Sequence, residues 1–301
     1  MNNLNPCNIC PRKCNKNRNK NIGYCRIKDK IKVARCDLYF YEEPSISGKK
    51  GSGTVFFSGC NLDCVYCQNY EISHNNKGVY ITIKRLSEIF LELKEKGANN
   101  INLVTPTIYI PLIKKALIKA KEKGLNIPIV YNSSGYEDVT SLKLLEGLID
   151  VYMPDFKYMN DEYGEKYSKC KNYSEIAKKA IQEMYRQVGI NKFKNNIMTK
   201  GVLVRHLILP SLTNDSKEIL KYLHDTYQNN IYISIMNQYT PLKTVEHIEK
   251  LNKKVTKEEY EEVIEYAIDI GIENAYIQED ETAKESFIPI WDNKGVKKKE
   301  N

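Results

Sequence analysis

Residues 100–135 read NINLVTPTIYIPLIKKALIKAKEKGLNIPIVYNSSG. The stretch opens with a short run, Ile101 to Val104, apolar save for Asn102 and closed by Pro106. Such a run, bounded by a breaker, reads as a buried strand. From Tyr109 the apolar positions take helical spacing, and Gly124 stops them. Asn126 to Gly135 then reads as a second strand and a turn. A strand, a crossover helix and a strand form the unit from which parallel sheets are built.

The same alternation runs outward in both directions. TVFFSG (54–59) is a β-branched and aromatic strand. TIKRLSEIFLELKEKG (82–97) places Leu86, Ile89, Phe90 and Leu93 on one helical face and ends at Gly97. Downstream, VTSLKLLEGL (139–148) is a helix and DVYMPDFKY (150–158) a strand, followed by a helix at 173–189. A strand at 201–211 precedes a helix at 215–228, and a strand at 230–240 precedes a helix at 256–271. NAYIQ (274–278) is a last short strand. The fold expected is therefore α/β, a partial (β/α)6 TIM-like barrel over residues 53–280. An open doubly wound sheet gives the same alternation and is the competing architecture. Polar groups recur where each strand stops: Cys60, Thr105, Asn132, Asp155, Arg205 with His206, and Asn237 with Gln238. In a β/α barrel those ends share one rim, where the site is built. His206, Gln238, Tyr239 and Gln278 are expected to face its mouth as substrate contacts, and a hydrogen-bonded core position is the other reading of His206.

Residues 1–52 break the pattern and read as a small Cys-rich metal-binding module, because a segment so polar cannot build its own core. Residues 281–301 form a C-terminal extension with a basic tail. The 301-residue chain is 42% hydrophobic and 28% charged, a globular composition. No apolar run approaches the roughly 20 residues of a membrane span, and the polar N-terminus lacks a signal-peptide core, so a cytoplasmic location is expected. The net charge of +8 is spread along helices beside glutamates, and reads as a solvated surface rather than a nucleic-acid footprint.

Nine cysteines in such a chain point to metal or redox chemistry, since reducing compartments disfavour disulfides. Three of them, Cys60, Cys64 and Cys67, have the spacing C-x3-C-x2-C directly after the first strand of the alternation. Positions i, i+4 and i+7 share a helical face, so buried helical cysteines are one reading, but Gly59, Asn61 and Asp63 favour a loop. Structural zinc wants four ligands, and only His74 stands near enough in sequence to complete the set. Three thiolates instead suit an iron–sulfur cube with one iron left open.

The chain here resembles the radical S-adenosylmethionine (SAM) enzymes, and within them the pyruvate formate-lyase activating enzyme group. The resemblance rests on GSGTVFFSGCNLDCVYCQN (51–69), INLVTPT (101–107), PIVYNSSGY (128–136), PDFKY (154–158), RHLILP (205–210) and MNQY (236–239), in that order. It implies a [4Fe–4S] cluster on Cys60, Cys64 and Cys67, whose open iron chelates SAM, and the aromatic Tyr66 before the last cysteine belongs to the same motif. Reductive cleavage then gives methionine and a 5′-deoxyadenosyl radical, which takes hydrogen from a substrate. The resemblance further implies that Lys157 and Arg205 meet the SAM carboxylate, that Asp155 orders the site, and that Asn132, Ser133 and Ser134 hydrogen-bond SAM. An electron donor such as flavodoxin or ferredoxin is implied as partner, and the substrate is a glycyl residue of a partner enzyme, a small molecule or another macromolecule. The chain departs from many relatives in one respect. Where they carry Gly-Gly-Glu after the second strand to hold the SAM amino group, this chain has LVTPTIY, which offers Thr105 and Thr107 but no carboxylate.

Cys7, Cys10, Cys14 and Cys25 follow C-x2-C-x3-C-x10-C, four ligands that close either a zinc site or an auxiliary iron–sulfur cluster, with Cys36 able to replace one. Cys170 stands alone and reads as a core residue. A non-enzymatic iron–sulfur or zinc-ribbon binding module is the alternative function, motivated by Arg12, Lys13, Lys16, Arg18 and Lys20 among the first cysteines.

Overall fold

The computed structural model describes residues 5–278 and 288–298. Most of the expected C-terminal extension at 288–298 is thus described, while 281–287 and 299–301 lie outside the described residues. One sheet organises the chain. Its strands are β1 (Ile31–Tyr39), β2 (Ser52–Phe57), β3 (Val79–Ile81), β4 (Ile101–Val104), β5 (Ile129–Ser133), β6 (Val151–Pro154), β7 (Lys192–Lys194), β8 (Ile197–Leu207), β9 (Tyr232–Met236) and β10 (Ala275–Ile277). Their order is β10-β9-β8-β6-β5-β4-β2-β1-β3, with β7 paired to β8. Every neighbour pair from β2 through β10 along this path is parallel. The sheet does not close on itself, and the ends of its parallel strands gather around one cavity, as in the expected partial barrel.

The helices are α1 (Pro44–Ser47), α2 (Tyr70–Ser73), α3 (Ile83–Glu95), α4 (Ile110–Glu122), α5 (Val139–Lys143), α6 (Asp161–Ser168), α7 (Tyr173–Val188), α8 (Thr213–Tyr227) and α9 (Lys257–Asp269), and Ile46 of α1 packs with Val130, Val151, Met153 and Leu203 on the cavity side of the sheet. The Thr82 side chain caps α3 by accepting from Arg85 N, and Leu86, Ile89, Phe90 and Leu93 are the buried stripe. Thr256 and Glu259 form a capping box at α9. The strands β2, β4, β5 and β6 are buried at every position, which is why they read as mostly apolar runs rather than as a strict alternation with charged residues.

Two elements depart from the sequence reading. Residues 31–39, placed above in the N-terminal module, form β1, which pairs antiparallel with both β2 and β3 and extends the main sheet. Cys36 lies on that strand, buried, with its N–H donating to Lys294 O at 2.8 Å. The expected helix at 139–148 is helical only over Val139–Lys143. The segment at 288–298 runs along β1 and β2, where Trp291 meets Phe56 edge-on with ring centroids 5.2 Å apart. Among the described residues no helix is long and apolar enough to cross a membrane.

Candidate active site

The three thiols ride on the loop that leaves β2. Gly59 begins it at φ 80°, a left-handed conformation that favours glycine. A Cβ there would lie 2.4 Å from Ile27 Cγ1 and 2.7 Å from Cys25 O, so the loop starts pressed against the N-terminal segment. The loop has no regular structure of its own and is held by its neighbours. Asp63 N and Val65 N donate to Ser168 O and Tyr167 O at the end of α6, at 3.1 and 2.9 Å. Arg12 Nε donates to Asn61 O at 2.8 Å, and Arg26 Nη2 meets Asp63 Oδ1 at 2.6 Å. His74, the sequence's only nearby candidate for a fourth ligand, is instead engaged by Asp63 Oδ1 at 2.7 Å and Ser73 Oγ at 2.7 Å.

Each sulfur has its own hydrogen-bond partner. Leu62 N donates to Cys60 Sγ at 3.4 Å, Ser168 Oγ donates to Cys64 Sγ at 2.9 Å, and Cys67 Sγ meets Ser73 Oγ at 3.2 Å. Burial raises all three thiol pKa values, that of Cys64 to about 11. Burial thus favours the thiols, and the thiolates become stable only when a metal supplies positive charge and expels the protons.

Cys64 and Cys67 face a cavity of about 590 Å³, within the roughly 300–1,000 Å³ span of small-molecule sites. Its polar lining comes from the ends of the parallel strands: Asn132 from β5, Asp155 just past β6, Arg205 from β8 and Ser234 from β9. The turn after β5 passes so close to the end of β6 that a Cβ on Gly135, at φ 74°, would sit 2.2 Å from Asp155 O. Asp155 joins two cations, with Lys157 Nζ at 2.7 Å and Arg205 Nη2 at 2.9 Å. Burial works against its charge, but the two cations outweigh it and hold the carboxyl below its ordinary range. Arg205 Nη2 also donates to Asn132 Oδ1 at 2.7 Å, and Nη1 lies 3.4 Å from Glu42 Oε2.

Glu42 is one of the residues that sequence reasoning missed. It precedes α1, outside the strand-helix alternation, and its side chain is 8% exposed in the cavity. Asn102 Nδ2 on β4 donates to its Oε1 at 2.8 Å. Burial pushes its carboxyl up to about 7 against the pull of Arg205. Beside it, Glu43 lines the same cavity, and its Oε2 is buried with no hydrogen-bond partner. No carboxylate follows β4, as the sequence says, yet two reach the cavity from Tyr41-Glu42-Glu43-Pro44, a stretch with no periodicity to flag it.

Of the residues singled out above, Tyr66, Asn132, Asp155, Lys157, Arg205, Gln238 and Gln278 line the cavity. Thr105, Ser134 and Tyr239 do not. Thr105 holds φ 59°, unusual for a β-branched residue, and donates its N–H to Asn132 O at 2.9 Å. Tyr239 is buried, donating to Leu251 O at 2.6 Å. His206 does not face the mouth. Successive strand residues point to opposite faces, so Arg205 takes the cavity and His206 the helical layer. There its Nδ1 meets Phe156 O and its Nε2 meets Ser216 Oγ, each at 2.8 Å.

The N-terminal thiols also gather. Cys7, Cys10 and Cys25 are buried and Cys14 is half-buried. The side chains of Cys7 and Cys14 hydrogen-bond each other. A Cβ on Gly23 would be 3.3 Å from Cys25 Sγ and 3.7 Å from Cys14 Sγ, so both sulfurs flank one bare backbone position. Cys36, on β1, is fully buried, and its thiol is held up by that burial. Among the described residues no three His, Cys, Asp or Glu side chains converge on a point as a single ion requires. A cluster of iron and sulfide takes its thiolates at separate corners and does not need that convergence.

A mostly parallel, open α/β sheet with a thiol loop after its first parallel strand, and a charged cavity at the strand ends, defines a barrel enzyme whose chemistry lies at one rim. A family profile described as the Radical SAM superfamily matches residues 54–223, and the chain belongs to that superfamily. The chain is 32% identical over 282 residues to "Uncharacterized protein MJ0674" of Methanocaldococcus jannaschii, covering 90% of this chain and 76% of that one. It is 27% identical over 186 residues to the pyruvate formate-lyase-activating enzyme of Clostridium pasteurianum, covering 58% of this chain and 68% of that one. In fold it is similar to Streptococcus suis SuiB bound to S-adenosylmethionine, with a TM-score of 0.51 at 12% identity, over 74% of this chain and 49% of that one. The chain thus spans about half the length of that structure.

Proposed function

We propose that this radical SAM enzyme holds a [4Fe–4S] cluster on Cys60, Cys64 and Cys67, binds SAM in the adjoining cavity, and removes hydrogen from a glycyl residue of a partner enzyme. The donor set fits. Three sulfurs ride on one loop, each with a hydrogen-bond partner, and two of them, Cys64 and Cys67, line a cavity that offers cations and carboxylates together. When bound, the cluster supplies the electron that splits SAM into methionine and a 5′-deoxyadenosyl radical.

The chain's own groups bind and orient. Lys157 and Arg205 would release part of their hold on Asp155 to meet the SAM carboxylate, with Arg205 able to do so through two parallel N–H groups. Glu42 and Glu43 would face its amino group, and the unpartnered Glu43 Oε2 is an acceptor awaiting an N–H donor. Asn132 fixes the Arg205 fork, and Gln238 and Gln278 line the cavity toward β9 and β10, where a substrate would enter. A flavodoxin or ferredoxin would supply electrons. Thr105 and Ser134, further from the cavity, would act through the backbone of the strand ends rather than on the cofactor.

The glycyl-radical reading is supported by the likeness to the pyruvate formate-lyase-activating enzyme of Clostridium pasteurianum. Cys7, Cys10, Cys14 and Cys25, ahead of β1, would either draw together on a zinc ion or take the separate corners of an iron–sulfur cluster, as a second metal centre.

The observation that carries the proposal is the placement of Cys64, Cys67, Lys157 and Arg205 around one cavity. The test is anaerobic: reconstitute iron and sulfide, reduce, add SAM, and assay 5′-deoxyadenosine. Its formation, with deuterium carried into it from a glycine-labelled partner enzyme, is the expected result. Absence of SAM cleavage and of any SAM effect on the cluster's EPR signal would refute the reading.

A further inference from the structure

The three sulfurs are not supported alike. Behind Cys64 stands a file of hydroxyls: Tyr66 Oη lies 2.5 Å from Tyr158 Oη, Tyr158 Oη 2.7 Å from Ser168 Oγ, and Ser168 Oγ 2.9 Å from Cys64 Sγ. Tyr158 and Ser168 are fully buried and Tyr66 is nearly so. A sulfur bound to metal can only accept, so Ser168 must donate to it. Tyr158 must then donate to Ser168, and Tyr66 to Tyr158. Hydroxyls aligned in one sense polarise one another, and burial in a low dielectric strengthens each bond.

The file is anchored at both ends. Ser168 closes α6, and its carbonyl and that of Tyr167 accept the N–H groups of Asp63 and Val65, which bracket Cys64. At the other end Tyr66 lines the cavity. Cys60, by contrast, accepts only a backbone N–H, from Leu62 at 3.4 Å, and its other neighbour, Asn61 Oδ1 at 3.8 Å, is an acceptor that gives the sulfur nothing.

We propose that Ser168, aligned by Tyr158 and Tyr66, is a positioning residue that raises the reduction potential of a cluster held by Cys64. This rests on the cluster assignment above. Adding an electron makes the thiolates richer in charge, so a hydrogen bond aimed at one of them favours the reduced state. The file also links the cavity to the sulfur. A ligand that engages Tyr66 Oη alters the donor at its head, so that occupancy of the cavity changes how readily the cluster accepts its electron.

The test measures the midpoint potential of the reconstituted full-length chain by EPR-monitored redox titration, on molecules that carry the cluster. Ser168→Ala is expected to lower the reduced-to-oxidised ratio at a fixed poise about tenfold, which is 59 mV for a one-electron couple. Tyr158→Phe, which removes one hydroxyl and no packing volume, shifts it in the same direction by less. Ser168→Thr, which keeps the hydroxyl, stays within about twofold of wild type. A merely structural role would lower the fraction of chains loaded and leave the potential of loaded chains unchanged. Unchanged potentials in Ser168→Ala and Tyr158→Phe would overturn the proposal, as would equal shifts in Ser168→Ala and Ser168→Thr. A wild-type chain with no [4Fe–4S] signal would overturn the cluster assignment itself.

Discussion

Glu42 and Arg205 meet at 3.4 Å, although they lie 163 residues apart, one ahead of the first parallel strand and the other on β8. The contact puts a carboxylate from outside the β/α alternation into the cavity. Glu42→Gln should weaken SAM binding by tenfold or more, since a hydrogen bond to a charged group is worth about 1.5–3 kcal/mol. The wild-type carboxyl, pushed up to about 7 by burial, ionises as pH rises and attracts an ammonium more strongly. Wild-type affinity should therefore climb more steeply from pH 6 to 8 than that of the variant, which keeps only the titration of SAM's own amino group. Equilibrium dialysis with SAM at those pH values checks both.

Gly59→Ala should damage the thiol loop without touching a thiol. The added methyl meets Ile27 and the Cys25 carbonyl, and φ 80° disfavours any side chain. Strain of about 1–3 kcal/mol is expected. Thermal unfolding should show a fall of several degrees, with less iron retained.

His206 sets an acid limit on stability. Burial lowers its pKa from 6.5 to about 4. The folded chain therefore prefers the neutral ring, and the unfolded chain takes the proton first. The stability this group contributes is intact above about pH 6.5 and is lost as pH falls toward 4. A shift of this size amounts to about 3 kcal/mol. Urea unfolding at pH 7.5 and pH 4.5 should show the difference, and His206→Gln, which retains hydrogen-bonding groups and cannot titrate, should flatten it.

A triple Cys60→Ala, Cys64→Ala, Cys67→Ala variant should lose SAM cleavage entirely and keep the N-terminal metal. Metal analysis of that variant identifies the metal: iron with sulfide marks a cluster, zinc alone marks a structural site. A metal-free variant would contradict the N-terminal assignment.

Much of this arrangement was legible in the chain itself. The strands were, because runs such as INLV (101–104) are apolar save for one residue, Asn102, and buried throughout, as parallel strands covered on both faces are. So were Asp155 and Arg205, since polar residues ending such strands point to one rim. Periodicity assigned His206 and Arg205 together, and only the register of β8 separated them. Glu42 and Ser168 left no signal. Neither belongs to a periodic pattern, and each reaches the site through long-range packing, Glu42 from an irregular turn and Ser168 from a short polar helix. The antiparallel strand β1 was hidden for another reason: its apolar residues sit between charged ones in a segment dominated by cysteines, asparagines and basic residues.

Arg12 stands between Cys10 and Cys14, and Arg26 follows Cys25, and both reach across to the loop that carries Cys60, Cys64 and Cys67. Damage to the first thiol group would therefore travel. Oxygen that stripped a metal from the N-terminal segment would slacken the two guanidinium clamps, and the rim would fail while its own ligands remained chemically intact. Air exposure could then inactivate the protein from a place that never meets substrate. An inactive N-terminal variant would report a lost clamp as readily as a lost reagent.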